Sequence, residues 1–102
     1  MVNAAVIAAL GPNGTVVNIA RGSVVDTQAL AAALKNGGLA SAGLDVYESE
    51  PKPPQELVGL PNVVLTPHIA GRSPEAMQAS VDKFLENAQA FFSGRPLLTP
   101  IN

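Results

Sequence analysis

Val17-Asn18-Ile19-Ala20-Arg21-Gly22-Ser23-Val24-Val25-Asp26 sets an arginine at the polar end of an apolar, β-type run, directly before a Gly-Ser turn. A charge there ends a buried strand where side chains meet solvent or ligand, and open α/β sheets place their sites beyond the C-terminal strand edge. Two later stretches repeat the layout. Gly43-Leu44-Asp45-Val46-Tyr47-Glu48-Ser49-Glu50-Pro51 brings carboxylates, and Leu65-Thr66-Pro67-His68-Ile69-Ala70-Gly71 brings the only histidine of the chain.

Upstream of the opening run, Ala4 to Leu10 is helix-compatible, and Gly11-Pro12 stops it before a strand over Thr15 to Ala20. Downstream, Asp26 is placed to cap a helix from Thr27 to about Asn36, with Leu30, Ala33 and Leu34 at helical spacing and Gly37-Gly38 at its end. Leu39 to Val46 reads as a second strand, and Pro51, Pro53 and Pro54 keep Tyr47 to about Leu60 as a loop. A third strand is expected over Asn62 to Thr66. Ser73 then caps a long helix with Pro74 at its first position and Met77, Val81, Phe84, Leu85, Ala88 and Phe92 on one face, until Ser93-Gly94. The tail from Arg95 to Asn102 reads as extended.

Strands alternating with helices predict an α/β fold: a partial Rossmann-like parallel sheet of about three strands, flanking helices and a long C-terminal helix. Three strands are few for that architecture, so an apolar edge is expected to need a partner.

Composition narrows the classes. A hydrophobic fraction of 47% over 102 residues argues for one folded unit rather than disorder. The formal charge of −2 and six scattered Lys and Arg residues leave no basic footprint for nucleic acid. No apolar run is long enough to span a bilayer, and the apolar start lacks the basic flank of a signal peptide, so neither membrane nor secretion is expected. The absence of cysteine excludes disulfides and thiolate metal sites, and no metal ligand is assigned; the cytoplasm is the expected compartment.

Arg21, Glu50 and His68 each follow an expected strand, and in a parallel sheet those ends share one edge. A carboxylate within hydrogen-bond reach of a histidine favours the imidazolium and fixes its ring, as a general acid requires. A neighbouring arginine suits bidentate capture of a substrate carboxylate. Plainer readings stand beside these: His68 as a surface or capping residue, Arg21 as a cap on a carbonyl or a partner of Asp26, and Glu50 as a solvated side chain. Asp45, ending an apolar strand, needs a hydrogen-bond partner.

In order and interval the three motifs resemble successive signatures of the D-isomer-specific 2-hydroxyacid dehydrogenases, and glyoxylate/hydroxypyruvate reductases in particular. The resemblance runs through essentially the whole chain. It implies an NAD(P)-dependent oxidoreductase that moves a hydride between NAD(P)H and a small 2-oxo acid. Arg21 would bind the carboxylate and carbonyl of the substrate, His68 would act as acid/base, and Glu50 would hold the imidazolium. Asp45 would accept from the nicotinamide amide, the backbone of Ala20 and Arg21 would contact that ring beside His68, and Ala70 and Gly71 would approach it closely. Family members are commonly homodimers.

The phosphate-binding Gly-x-Gly-x-x-Gly loop has no counterpart among the nine glycines, so the sequence does not choose between NAD and NADP. Residues 1–102 thus resemble the C-terminal half of a dinucleotide-binding domain, with about 73–102 forming the helix and tail that return to a substrate domain. On this reading the chain alone is inactive, because most of the dinucleotide site is missing. The competing expectation is a non-catalytic interaction module that pairs through its exposed sheet edge.

Overall fold

Val16 and Val17 favour a pleated strand, and the start of the opening run falls in Thr15–Asn18, the first strand of a three-stranded parallel sheet. The computed structural model describes residues 1–101. Elements follow in the order α1 (Ala4–Leu10), β1 (Thr15–Asn18), a single 3₁₀ turn (Gly22–Val24), α2 (Thr27–Asn36), β2 (Ser41–Leu44), β3 (Val63–Leu65) and α3 (Pro74–Phe92). The sheet order is β1-β2-β3, which leaves β1 and β3 at its edges among the described residues.

The described chain divides into two compact units, one over Met1–Ala70 and one from Gly71 onward. In the first, parallel register aligns Val16 with Ala42 and Val63, and Asn18 with Leu44 and Leu65. Alternation turns that set of residues to one face, where Val16, Ala42 and Leu44 join Ile7, Leu30, Ala31, Leu34 and Leu39 in the core. Leu57 and Tyr47 join the same core from the proline-rich loop. Asp26 caps α2 as expected, its Oδ1 accepting from the Ala29 N–H at 2.9 Å, and Gly37 ends the helix at φ 76°, in the left-handed region that glycine enters without cost.

The strands are shorter than the apolar runs suggested. Beyond Asn18 the Ala20 N–H turns to the Asn18 side chain at 3.0 Å, so β1 ends two residues early. Ahead of β2, Leu39 donates to the Ala33 carbonyl of α2 at 3.2 Å and Ala40 to Gly14 at 3.0 Å, which withdraws both from the ladder. The Asp45 N–H still donates to the Asn18 carbonyl and Thr66 to Leu44, each at 2.9 Å, so the sheet hands its register directly to the loops beyond it.

In the second unit Ser73 caps α3 by accepting from the Ala76 N–H at 3.1 Å, with Pro74 in the first turn. The tail is bent rather than extended. Asn87 Oδ1 accepts from the N–H groups of Leu98 at 3.0 Å and Thr99 at 3.2 Å, folding that stretch against the helix. Asn102, the last residue of the expected extended tail, lies outside the described residues. No helix among the described residues is long and apolar enough to cross a membrane.

Candidate active site at the C-terminal strand edge

Each strand of the sheet runs into one polar segment. β1 leads through Ile19 and Ala20 to Arg21, β2 leads to Asp45 and the Glu50 loop, and β3 leads through Thr66-Pro67 to His68. Because the strands are parallel, all three segments leave from the same edge of the sheet.

Two of the expected residues meet directly. His68 Nδ1 lies 3.0 Å from Glu50 Oε2, and the other Glu50 oxygen accepts from the Tyr47 N–H at 2.9 Å. The His68 hydrogen bond, followed by the Tyr47 amide, holds the Glu50 carboxyl below its usual value near 4.5. Glu50 is therefore a carboxylate at neutral pH with both oxygens engaged. The pair is half-exposed.

Asp45 is only 4% exposed and organises the turn that carries the histidine. Its Oδ1 accepts from the Thr66 hydroxyl at 2.5 Å and the Ile69 N–H at 2.9 Å, and its Oδ2 accepts from the Ala70 N–H at 2.9 Å. Its carbonyl accepts from the His68 N–H at 2.9 Å. The Thr66 hydroxyl, opposed by burial and aided by the Ala70 and Ile69 amides, keeps the carboxyl below its ordinary 3.8. Within this wrap His68 adopts φ 55°, the only non-glycine positive φ among the described residues. Such a conformation costs roughly 1–2 kcal/mol for a residue with a Cβ. The hydrogen bonds around Asp45 offset that cost and fix where the ring projects.

Arg21 does not join the pair. Its Nη1 donates to the Ala20 carbonyl at 2.7 Å, and no hydrogen bond or ion pair links it to Glu50, His68 or Asp26 among the described residues. Of the plainer readings of Arg21, capping of a carbonyl is what the structure contains. The guanidinium is exposed, so several of its donors face solvent. Ala20 lies beside it, also exposed, and Ala70 is tied to Asp45. Gly71 begins the second unit, and a Cβ added there would meet nothing within 4 Å among the described residues.

Three contributors escaped the sequence reading. Asn18, 4% exposed, accepts from the Ala20 N–H and donates through Nδ2 to the Arg21 carbonyl at 2.9 Å, so it staples the turn that bears the arginine. The hydroxyl of Tyr47 donates to the Thr66 carbonyl, tying the Glu50 loop to the His68 turn. Burial, then the nearby Asp45 and Glu50 charges, push that phenol above its usual 10.0. Thr66 supplies the hydroxyl on Asp45. The available signal was an amide at an inward-facing strand position and a lone tyrosine in a polar loop, since buried polar groups require partners.

A parallel sheet that gathers a carboxylate-paired histidine, an arginine turn and a buried aspartate beyond its C-terminal edge has its polar groups where open α/β sheets bind their ligands. Residues 1–70 match the family described as D-isomer specific 2-hydroxyacid dehydrogenase, NAD binding domain, and the chain belongs to that family. Among its relatives, hydroxyphenylpyruvate reductase of Plectranthus scutellarioides is 48% identical over 99% of the chain and 32% of the relative. Glyoxylate reductase of Pyrococcus furiosus is 47% identical over all of this chain and 30% of the relative. The crystal structure of an NADPH-dependent glyoxylate/hydroxypyruvate reductase from Sinorhizobium meliloti, in complex with NADP and malonate, superposes with a TM-score of 0.87. It is 49% identical, with 98% of this chain and 31% of that chain covered. The chain thus spans about a third of the length of the relatives it matches.

Proposed function

We propose that this chain supplies the catalytic residues of an NAD(P)-dependent reductase acting on a small 2-oxo acid such as glyoxylate or hydroxypyruvate. On this reading residues 1–70 form the catalytic-edge part of a dinucleotide-binding domain, and about 73–102 form the helix and tail that lead back to a substrate domain. The observation that carries it is the contact of His68 with Glu50 at 3.0 Å on the strand edge that also presents Arg21.

Arg21 binds the substrate carboxylate in bidentate fashion, with its fork of N–H donors turned from the Ala20 carbonyl toward the ligand. His68, donating through Nδ1 to Glu50, presents Nε2 to the carbonyl oxygen and delivers the proton there. Glu50 stabilises the imidazolium and holds its ring plane, and Asp45 fixes the backbone that aims it. The donor set fits the nicotinamide end of the cofactor. Among the described residues Asp45 Oδ2 accepts one hydrogen bond, from Ala70, which leaves an acceptor site for an amide N–H. Ala20, Arg21, His68, Ala70 and Gly71 would line that ring with Asp45, and the ring, when bound, supplies the hydride for the carbonyl carbon.

The test is NMR of the labelled chain with glyoxylate and, separately, nicotinamide mononucleotide. Glyoxylate is expected to shift the Arg21 Nε–H and His68 ring signals, the response disappearing in Arg21→Gln, while the mononucleotide shifts the Ala20 and Ala70 amides. Absence of any response at tens of millimolar ligand, or a glyoxylate response that survives Arg21→Gln, overturns the assignment.

The position of β1 at the sheet edge favours a second, non-catalytic reading, in which the module pairs through that edge. Light scattering at high concentration decides it: a clean monomer refutes edge pairing between copies.

A further inference from the structure

A glycine is required either by its backbone angle or by lack of room, and Gly22 separates the two. Its φ lies outside the positive region occupied by Gly11, Gly37, Gly59 and Gly94, so conformation does not demand it. Room does. A Cβ on Gly22 would lie 2.2 Å from the Tyr47 carbonyl carbon, 2.3 Å from the Glu48 nitrogen and 2.6 Å from the Tyr47 oxygen. The Gly22 Cα therefore packs directly on the peptide plane between Tyr47 and Glu48, at a contact only glycine permits.

Tyr47, which gives that peptide its carbonyl, is a junction. The Tyr47 N–H donates to Glu50, the Tyr47 hydroxyl to the Thr66 carbonyl, and Glu50 holds His68. On the other side Gly22 follows Arg21, whose carbonyl is held by Asn18 and by the Val24 N–H at 3.1 Å. The close approach thus joins the arginine turn to the acid loop, although no hydrogen bond or ion pair from the Arg21 side chain reaches that loop among the described residues. We propose that Gly22 is a positioning residue whose contact with the Tyr47–Glu48 peptide sets the spacing between Arg21 and the Glu50–His68 pair. This rests on reading those three residues as one site.

A Cβ at this point, 2.2 Å from the Tyr47 carbonyl carbon, must push the two segments apart by more than about 1 Å to restore ordinary van der Waals separation. A displacement of about that size costs on the order of 10²-fold in rate when it falls between substrate-binding and reacting groups.

The experiment compares Gly22→Ala with Gly43→Ala in the full chain. A Cβ at Gly43 meets only Val17 Cγ2, at 4.0 Å, so that variant measures the effect of an added methyl group without a clash. Glu50 is followed by ¹³C NMR of its carboxyl and His68 by its ring signals, which as the only histidine are unambiguous. In Gly22→Ala the Glu50 titration midpoint is expected to rise toward 4.5 as its Tyr47 and His68 partners shift, with the His68 signals moving as well. Gly43→Ala is expected to keep both at their wild-type values. A folded Gly22→Ala with Glu50 and His68 unchanged overturns the proposal. Should that variant not fold, the wild-type chain decides: nuclear Overhauser contacts from the Gly22 Hα protons to the Glu48 amide support the packing, and their absence overturns it. None of these readouts needs substrate, so a chain that ignores 2-oxo acids defeats the reductase assignment while Gly22 is still judged separately.

Discussion

Removing the Asn18 side chain tests whether the arginine turn is held from the sheet. Asn18→Ala deletes two neutral hydrogen bonds, from the Ala20 N–H at 3.0 Å and to the Arg21 carbonyl at 2.9 Å. Each contributes about 1 kcal/mol net. Both contacts are part-buried at exposed residues, so water takes up the open side of each broken pair. The expected loss is therefore about 1–2 kcal/mol, a sizeable share of a total near 5–15 kcal/mol. With a urea slope of about 1 kcal/mol/M for so small a unit, the unfolding midpoint falls by roughly 1–2 M. Tyr47 makes the measurement specific. The chain has one tyrosine and no tryptophan, and Tyr47 lies in the core of the first unit, so its fluorescence follows that unit. Asn18→Asp keeps the acceptor for Ala20 but sets a carboxylate oxygen against the Arg21 carbonyl inside a buried site, so it is expected to be less stable than Asn18→Ala at neutral pH. An alanine variant that unfolds at the wild-type midpoint, or an aspartate variant as stable as wild type, refutes the reasoning.

Acid should loosen the site before it affects the apolar core. Glu50 and Asp45 both titrate lower in the folded chain than their ordinary values of 4.5 and 3.8, so their stabilisation is complete above those values and is lost as pH falls through the depressed ones. Urea midpoints read by Tyr47 fluorescence should decline with acid below about pH 4.5, and Glu50→Gln should flatten the upper part of that decline; an equal slope in the variant contradicts the assignment. Thr66→Val removes the hydroxyl that donates to Asp45, so the Asp45 carboxyl should titrate at higher pH by ¹³C NMR, whereas Thr66→Ser should preserve the wild-type value. An unshifted Asp45 in Thr66→Val contradicts that contact.

The local signals carried the architecture. Asp26 and Ser73 stand three residues before the amides they cap, and Gly11 and Gly37 end their helices, so each signal and its response fall within one turn of chain. β-branched runs broken by Gly and Pro located three strands, and the long crossovers between them, from Asn18 to Ser41 and from Leu44 to Val63, suit parallel order where short turns would give hairpins. The placement of Arg21, Glu50 and His68 on one edge follows from that order alone. What the runs could not show was where each strand stops, because the ends depend on whether a backbone group finds a sheet partner or a side chain such as that of Asn18.

Residue types, their order and the edge they share were therefore determined by the amino-acid sequence, whose signals act over a few residues. The tertiary structure decided how that edge is held together. The Asp45 carboxylate reaches Thr66, Ile69 and Ala70 across 21 to 25 residues, and it supports a left-handed His68 that no local preference would select. Gly22 meets the Tyr47–Glu48 peptide across a similar separation. Contacts of this kind come into being only when parallel pairing brings three separate strand ends together, and their strength depends on burial and angle, which composition does not encode.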